Sequence, residues 1–190
     1  MILSPHECVW LIDNVHTYSE QLRPGPANPW TGNDPVSGLP HRVVGGAVLL
    51  TESDTTIAHV DGADTEVMGR SADTTKDSFG QRDHGAAQIS GYWWSELIQE
   101  LVVEHGGDWR DPFDNVGLMR DVFNETARIR GDKNGWMAWQ VYLLKPDGTR
   151  SFTKFLPDIK VAAARATWPP PKLQQIRIDI SARLQLKEEQ

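Results

Sequence analysis

The sequence contains a single cysteine, Cys8, in 190 residues, so no disulfide can form within the chain. This excludes a small secreted domain stapled by disulfides and fits a reducing compartment. No stretch approaches the roughly 20 apolar residues of a membrane-spanning helix, and the first residues show no secretory signal. We therefore expect a cytoplasmic protein with no membrane partner.

Recognisable motifs for catalysis, metal binding or phosphate binding are also missing. The six histidines are scattered without metal-ligand spacing, and Gly45-Gly46 is not followed by the residues of a phosphate-binding loop. We predict no cofactor, no metal site and no catalytic residue, which argues against an enzyme. The remaining enzymatic interpretation is a small pocket that uses Asp83, His84 or His105, since a carboxylate beside an imidazole can orient a general base.

Negative charge is concentrated in the first half of the chain. The net charge is −7, and residues 1–90 hold 5 basic and 12 acidic side chains, whereas residues 91–190 hold 14 of each. Such an excess of carboxylates repels phosphate backbones and argues against nucleic-acid binding. It favours either a basic protein partner or a solvated surface that aids solubility. The carboxylates that we expect to contact a partner are Asp61, Asp64, Glu66, Asp73 and Asp77.

Four segments carry helical signals. Ser4-Pro5-His6-Glu7 forms a capping box with proline at the first helical position, which predicts a helix over 5–22. Apolar residues at three- and four-residue steps predict helices over 92–105 and 111–131, with Gly131 at the end of the latter. An alanine-rich stretch predicts a short helix within 157–168.

Strand signals are more numerous. Apolar and β-branched runs predict strands over 42–50, 55–60 and 65–68 as a meander, and an antiparallel pair over 136–145 and 150–156. Residues 173–186 alternate strictly between apolar and polar, which predicts a final amphipathic strand after a stiff proline spacer at 169–171. With long loops rich in proline and glycine at 23–41 and 69–85, these elements predict a single α+β domain over 1–190. Its sheet is expected to be mostly antiparallel, with helices packed on one face.

Eight tryptophans are present, and two of them stand apart from the expected core. Trp30 lies in the first long loop and needs a surface to pack against. Trp93 adjoins Trp94 on a helix and therefore points away from the apolar face that Trp94 joins. We predict that Trp30 and Trp93 contribute to partner binding.

Residues 136–158 resemble a segment of known proteins. The pattern Trp136-x-x-Trp139, Leu144-x-Pro146-Asp147-Gly148 and Phe152-x-x-Phe155-x-x-Asp158 is similar to the strand–turn–strand of some bacterial immunity proteins that neutralise polymorphic toxins, such as the YezG-like group. This resemblance implies a small acidic cytosolic protein that blocks a toxin by occupying its surface. It brings no catalytic residues with it.

These observations predict a non-enzymatic protein-binding module, similar to an immunity protein or antitoxin, that inhibits a basic protein. An alternative is a structural subunit of a phage particle or pilus-like assembly, joined to its neighbour through the strand at 173–186 and then located in the virion. The small-pocket enzyme is a second alternative.

Overall fold

The computed structural model describes residues 3–15, 29–53, 67–68, 82–107, 109, 111–131, 134–165, 170–171 and 173. Helices dominate these residues, and the sheet consists of three very short strands. The expected α+β fold, with a mostly antiparallel sheet and helices on one face, is therefore wrong. Three of the predicted strand segments are helical, for reasons that lie in their tertiary contacts.

Helix α1 spans Pro5–Asp13 and begins where the sequence predicts. The Ser4 hydroxyl accepts from the Glu7 backbone N–H at 3.2 Å, and the Glu7 carboxylate accepts from the Ser4 backbone N–H at 2.7 Å. This reciprocal pair satisfies two N–H groups that have no partner within the helix. The helix predicted over 5–22 is confirmed over Pro5–Asp13 and is interrupted by a turn at Asn14. Val15 is again helical, and residues 16–22 lie outside the described residues.

Helix α2 spans His41–Ser53 and replaces the strand predicted over 42–50. Gly45 and Gly46 allow the close approach of neighbouring elements. A Cβ at Gly45 would lie 2.7 Å from the Trp136 ring, and one at Gly46 would lie 3.2 Å from Val9 of α1. Burial on nearly all sides explains the continuous apolar run, because a fully buried helix and a buried strand share that pattern.

A small hairpin precedes the second half of the chain. Strands β1 (Val67–Met68), β2 (Arg82–His84) and β3 (Ile89–Ser90) form an antiparallel sheet in the order β1-β2-β3. Asp83 pairs with Val67 on one side and with Ser90 on the other. The strand expected to end at Met68 is confirmed at its last two residues. The strand expected over 55–60 lies outside the described residues, and the loop expected over 69–85 is wrong at 82–84.

Helix α3 (Gly91–Gln99) continues into a π-helical turn, Glu100–Glu104, and thus confirms the helix predicted over 92–105. Helix α4 spans Pro112–Arg130 and confirms the next prediction. The Asp111 carboxylate accepts from the Phe113 N–H at 2.9 Å, and Gly131 ends the helix with φ of 67°. Local capping chemistry thus sets both ends of α4.

The strands predicted over 136–145 and 150–156 are wrong. These residues form 3₁₀-helices at Gly135–Ala138, Gln140–Tyr142 and Ser151–Phe155. Trp136, Trp139 and Tyr142 are spaced by three residues, which is one turn of a 3₁₀-helix, and all three side chains are buried. The strand–turn–strand on which the resemblance to immunity proteins rests is therefore not formed, although Lys145 and Thr149 still close a turn.

Helix α5 spans Leu156–Arg165 and confirms the short helix expected within 157–168. Of the predicted proline spacer at 169–171, residues 170–171 are described, and Pro171 is helical rather than extended. The predicted strand at 173–186 lies outside the described residues except for Leu173, which is buried and helical, so the prediction is wrong at that residue. Within the described ranges, none of the helices combines the length and the hydropathy that crossing a bilayer requires.

His41, the first residue of α2, makes a contact that is sensitive to acid. Its Nδ1 accepts a hydrogen bond from Trp136 Nε1 at 3.0 Å, and its ring packs edge-on against Phe123. An indole N–H can only donate, so a proton on Nδ1 would break this bond. Burial lowers the pKa of His41 from its usual 6.5, and the Asp34 carboxylate opposes this shift.

We therefore expect His41 to stabilise the fold fully above pH 6.5 and to lose this contribution as the pH falls through its lower, folded-state pKa. His41→Asn, which keeps an acceptor, should remove this part of the pH dependence of the unfolding free energy. Urea denaturation of both proteins between about pH 7.5 and about pH 5 measures the difference. An NMR titration of the His41 ring with a midpoint at or above 6.5 would contradict the expectation.

Candidate functional site

The five carboxylates predicted to contact a partner lie outside the described residues. They are Asp61, Asp64, Glu66, Asp73 and Asp77. Their role in binding stays a prediction.

Trp30 lies in the hydrophobic core. Its ring stacks on Trp136 with centroids 5.4 Å apart and meets Phe123 edge-on at 6.1 Å. Only 5% of its surface is exposed, so Trp30 offers little surface for direct contact with a partner, and its role in binding stays a prediction. The expectation that its ring needs a packing surface is confirmed, because burial of a tryptophan stabilises the segment that carries it.

Trp93 is the exposed tryptophan of α3. Its side chain is 62% exposed, and its ring packs edge-on against Tyr92. Trp94 is half-buried, so the prediction that the two neighbouring tryptophans differ in exposure is confirmed. Trp93 remains available for contact with another molecule.

The residues named for a small catalytic pocket are not brought together. Asp83 and His84 are neighbours on β2, and neighbouring side chains of a strand point to opposite faces. The His84 ring is buried edge-on against Trp109, with centroids 4.8 Å apart. His105 lies at the end of the π-helical turn, 3.5 Å from Glu100. The structure thus offers no Asp83–His84 pair facing a shared substrate position.

Glu52 of α2 is a titratable group that no sequence motif points to. Burial and the nearby Asp83 carboxylate raise the pKa of Glu52 to about 8. Both effects disfavour a second negative charge at this place. Both effects therefore favour the protonated form of Glu52.

A surface cleft of about 460 Å³ lies between the C-terminal turn of α2 and the 3₁₀-helix Ser151–Phe155. This volume falls within the usual range for small-molecule sites, about 300–1,000 Å³. The described residues that line it comprise three cations, four hydroxyl groups and one aromatic ring: Lys145, Arg150, Lys154, Thr51, Thr149, Ser151, Thr153 and Phe155. We refer to it as the basic cleft.

Two short local motifs build one wall of the basic cleft. In the turn that begins at Lys145, the Lys145 N–H donates to the Thr149 carbonyl at 2.8 Å, and the Gly148 N–H donates to the Lys145 carbonyl at 2.9 Å. Gly148 has φ of 80°, a value that glycine adopts without a steric penalty. The Thr153 N–H then donates to the Arg150 carbonyl and starts the 3₁₀-helix. This tight geometry gathers residues 145–155 around one cavity.

Arg150 is held in place by the core beneath the basic cleft. Its Nη1 donates to the Tyr142 carbonyl, and its guanidinium carbon lies 4.9 Å from the centre of the Tyr142 ring. The Tyr142 hydroxyl in turn donates to Asp34 at 2.7 Å, and Asp34 also accepts from the Ser37 N–H. Burial and the bond to Asp34 raise the pKa of Tyr142, so its hydroxyl keeps the proton that this bond needs.

The charge of the basic cleft is one-sided. Its described lining includes Lys145, Arg150 and Lys154 but no carboxylate. Asp147, in the adjoining turn, is tied up by the Thr149 side chain and N–H, and these hydrogen bonds, together with Lys145, hold the pKa of Asp147 below its usual value. Three cations that line one cleft favour the entry of an anion.

Sequence reasoning missed the basic cleft because it averaged charge over half the chain. Residues 91–190 are neutral as a whole. Residues 145–155, however, hold three cations and a single carboxylate, which is the local signal that could have been found. The contribution of Thr51 could not have been found from the sequence, because the sequence pattern predicts a strand over 42–50 and the structure has a helix there.

Among the described residues, no group of three or more histidine, cysteine or acidic side chains is arranged to hold a metal ion. Comparison of the chain with protein-family models, with curated proteins and with solved structures gives no match. The interpretation of the basic cleft therefore depends on its own geometry.

Proposed function

We propose that this protein binds a small phosphate-bearing ligand in the basic cleft. The observation that carries the proposal is the convergence of Lys145, Arg150 and Lys154 on one cavity of about 460 Å³, in a chain of net charge −7. A phosphate group carries close to two negative charges at neutral pH and accepts several charge-assisted hydrogen bonds. It therefore matches a cluster of cations better than a neutral ligand does.

The three cations have different parts in this recognition. Arg150 is oriented by its contacts with Tyr142, so it can present its remaining N–H groups without first losing much side-chain freedom. Lys145 stands on an exposed turn and provides a more mobile point charge. Lys154 lies against the Phe155 ring, with Nζ 4.4 Å from its centre, which restrains the ammonium beside the cavity.

Isothermal titration calorimetry of the full chain with pyrophosphate tests the proposal. We expect Lys154→Gln and Lys145→Gln each to weaken binding by about tenfold, because each removes a charge-assisted hydrogen bond. The matched control is Lys160→Gln, which removes an exposed lysine of α5 that does not line the basic cleft. Binding should also weaken as ionic strength rises.

Two results would contradict the proposed ligand. One is that the full chain binds neither pyrophosphate, inorganic phosphate nor a phosphorylated sugar at millimolar concentration. The other is that Lys160→Gln weakens binding as much as Lys154→Gln, which would indicate general attraction to positive surface charge.

A second candidate is the inhibitor of a basic protein that the charge distribution suggests. The exposed Trp93 supports it, since tryptophan is enriched where protein partners bind. In a binding assay with a basic toxin, Trp93→Ala should weaken the complex, and a rise in salt should slow its formation. The assembly subunit depends on residues 173–186, and that alternative stays a prediction.

A further inference from the structure

We infer that the phosphate-bearing ligand of the basic cleft also carries free hydroxyl groups, as phosphorylated sugars and polyols do. This inference rests on the proposed function and narrows its ligand class. It follows from the four hydroxyl groups that line the cleft, because the three that belong to threonines already donate their protons to the protein.

Each of these hydroxyls donates to an oxygen of the protein that can only accept. Thr149 Oγ1 donates to the Asp147 carboxylate at 2.7 Å, and Thr153 Oγ1 donates to the Arg150 carbonyl at 2.7 Å. Across the cleft, Thr51 Oγ1 donates to the Ala47 carbonyl at 2.6 Å. A hydroxyl has one proton and two acceptor lone pairs, so these three groups have only lone pairs left for a ligand.

The basic cleft therefore combines two kinds of polar group, hydrogen-bond donors and hydrogen-bond acceptors. Its cations donate to anionic oxygens, whereas its committed threonines accept from O–H or N–H groups. A bare phosphate dianion satisfies the cations but has no proton for the threonines, and its oxygens are repelled by their lone pairs. A ligand with a phosphate at one end and hydroxyls at the other satisfies both.

Phe155 adds an apolar element that such a ligand would use. One face of its ring is covered by the Lys154 ammonium, and the side chain remains partly accessible at the edge of the cavity. The C–H groups of a sugar or polyol can pack on aromatic carbon while their hydroxyls reach polar neighbours. The cleft can thus contact each part of such a ligand. Its cations contact the phosphate, its acceptors contact the hydroxyls and the Phe155 ring contacts the C–H groups.

Calorimetric titration of the full chain with ribose 5-phosphate, inorganic phosphate and ribose tests this inference. We expect ribose 5-phosphate to bind at least tenfold more tightly than inorganic phosphate, and ribose to bind weakly. Thr153→Val removes one acceptor at an exposed position and should reduce the preference for ribose 5-phosphate about threefold or more. Thr153→Ser retains the hydroxyl and should keep the preference, which separates the acceptor role from a general effect of substitution.

The outcomes distinguish this inference from the proposed function. Equal affinity for ribose 5-phosphate and inorganic phosphate, or an unchanged preference in Thr153→Val, would overturn the inference and leave phosphate binding in place. So would binding of pyrophosphate alone. If ribose 5-phosphate, inorganic phosphate and pyrophosphate all fail to bind, or if ribose binds as tightly as its phosphate, both proposals are overturned.

Discussion

Replacement of Gly135 by alanine is expected to lower the free energy of unfolding by about 3 kcal/mol or more. A Cβ at this position would lie 2.6 Å from the carbonyl carbon of Phe123 and closer still to its oxygen. Phe123 belongs to the middle of α4, and the backbone of a buried helix cannot move aside as the end of a flexible side chain can. The 3₁₀-helix that carries Trp136 would have to shift instead, which disturbs the aromatic core.

Urea denaturation of the wild type and Gly135→Ala measures this effect. Gly131→Ala is the matched control, because Gly131 has φ of 67° but nothing lies within 4 Å of a Cβ there. It should cost only about 1–2 kcal/mol, the usual penalty for a left-handed residue. Equal losses in the two variants would show that backbone conformation, and not the contact with Phe123, determines the cost.

Replacement of Asn115 by alanine is expected to lower the free energy of unfolding by about 2–6 kcal/mol. Asn115 Oδ1 accepts from the Ala87 N–H at 2.8 Å, and Nδ2 donates to the His84 carbonyl at 3.1 Å. The Ala87 amide lies in the buried turn between β2 and β3, and the His84 carbonyl ends β2. Trp139 Nε1 also donates to the Ala87 carbonyl. Alanine would remove the acceptor of the buried Ala87 N–H and one donor to the His84 carbonyl.

Hydrogen exchange at the Ala87 amide provides a local readout of the same change, since this amide should lose protection in Asn115→Ala. Asn115→Asp keeps the acceptor for Ala87 but places a carboxylate oxygen against the His84 carbonyl, so it should also be destabilised.

Asn14→Ala is the control. Asn14 donates to the Trp10 carbonyl at 2.8 Å at the partly exposed end of α1, where water can replace the bond, and a loss of about 1 kcal/mol or less is expected. A similar loss in Asn14→Ala and Asn115→Ala would contradict the role of burial.

The helices that the sequence predicted correctly share a local cause. Ser4 and Glu7 begin α1, and Asp111 and Gly131 bound α4, by hydrogen bonds within a few residues of each helix end. Such contacts depend on side-chain type and spacing, which are visible in the sequence. The sequence could therefore predict where α4 begins and ends, but it could not predict which elements pack against α4.

The strands that the sequence predicted wrongly share the opposite cause. The apolar run after His41 fits a buried strand as well as a buried helix, and only the contacts of Gly45 with Trp136 and of Gly46 with Val9 explain the helix. Apolar residues on both alternating sets predict a buried strand for the segment that holds Trp136, Trp139 and Tyr142. Their spacing of three residues fits a 3₁₀-helix equally well, and their burial against α2 and α4 favours it.

The basic cleft likewise has some features that the local sequence predicts and others that only tertiary packing determines. Lys145, Arg150 and Lys154 are close in the sequence, and the turn between Lys145 and Thr149 was predicted, so a local cluster of cations could have been identified. That Arg150 rests on Tyr142, and that Thr51 faces the cluster from α2, follows only from packing.

The sequence by itself determined the caps of α1 and α4, the helical periodicity of α3, the excess of negative charge before residue 91 and the lack of disulfide chemistry. These properties depend on neighbours along the chain or on composition. Only the tertiary structure decided that α2 is a helix, that the aromatic segment after Asn134 forms 3₁₀ turns, and that three cations and three committed hydroxyls share one cavity. The physical reason is that an apolar run buries its surface equally well in several conformations, and contacts between distant segments select among them.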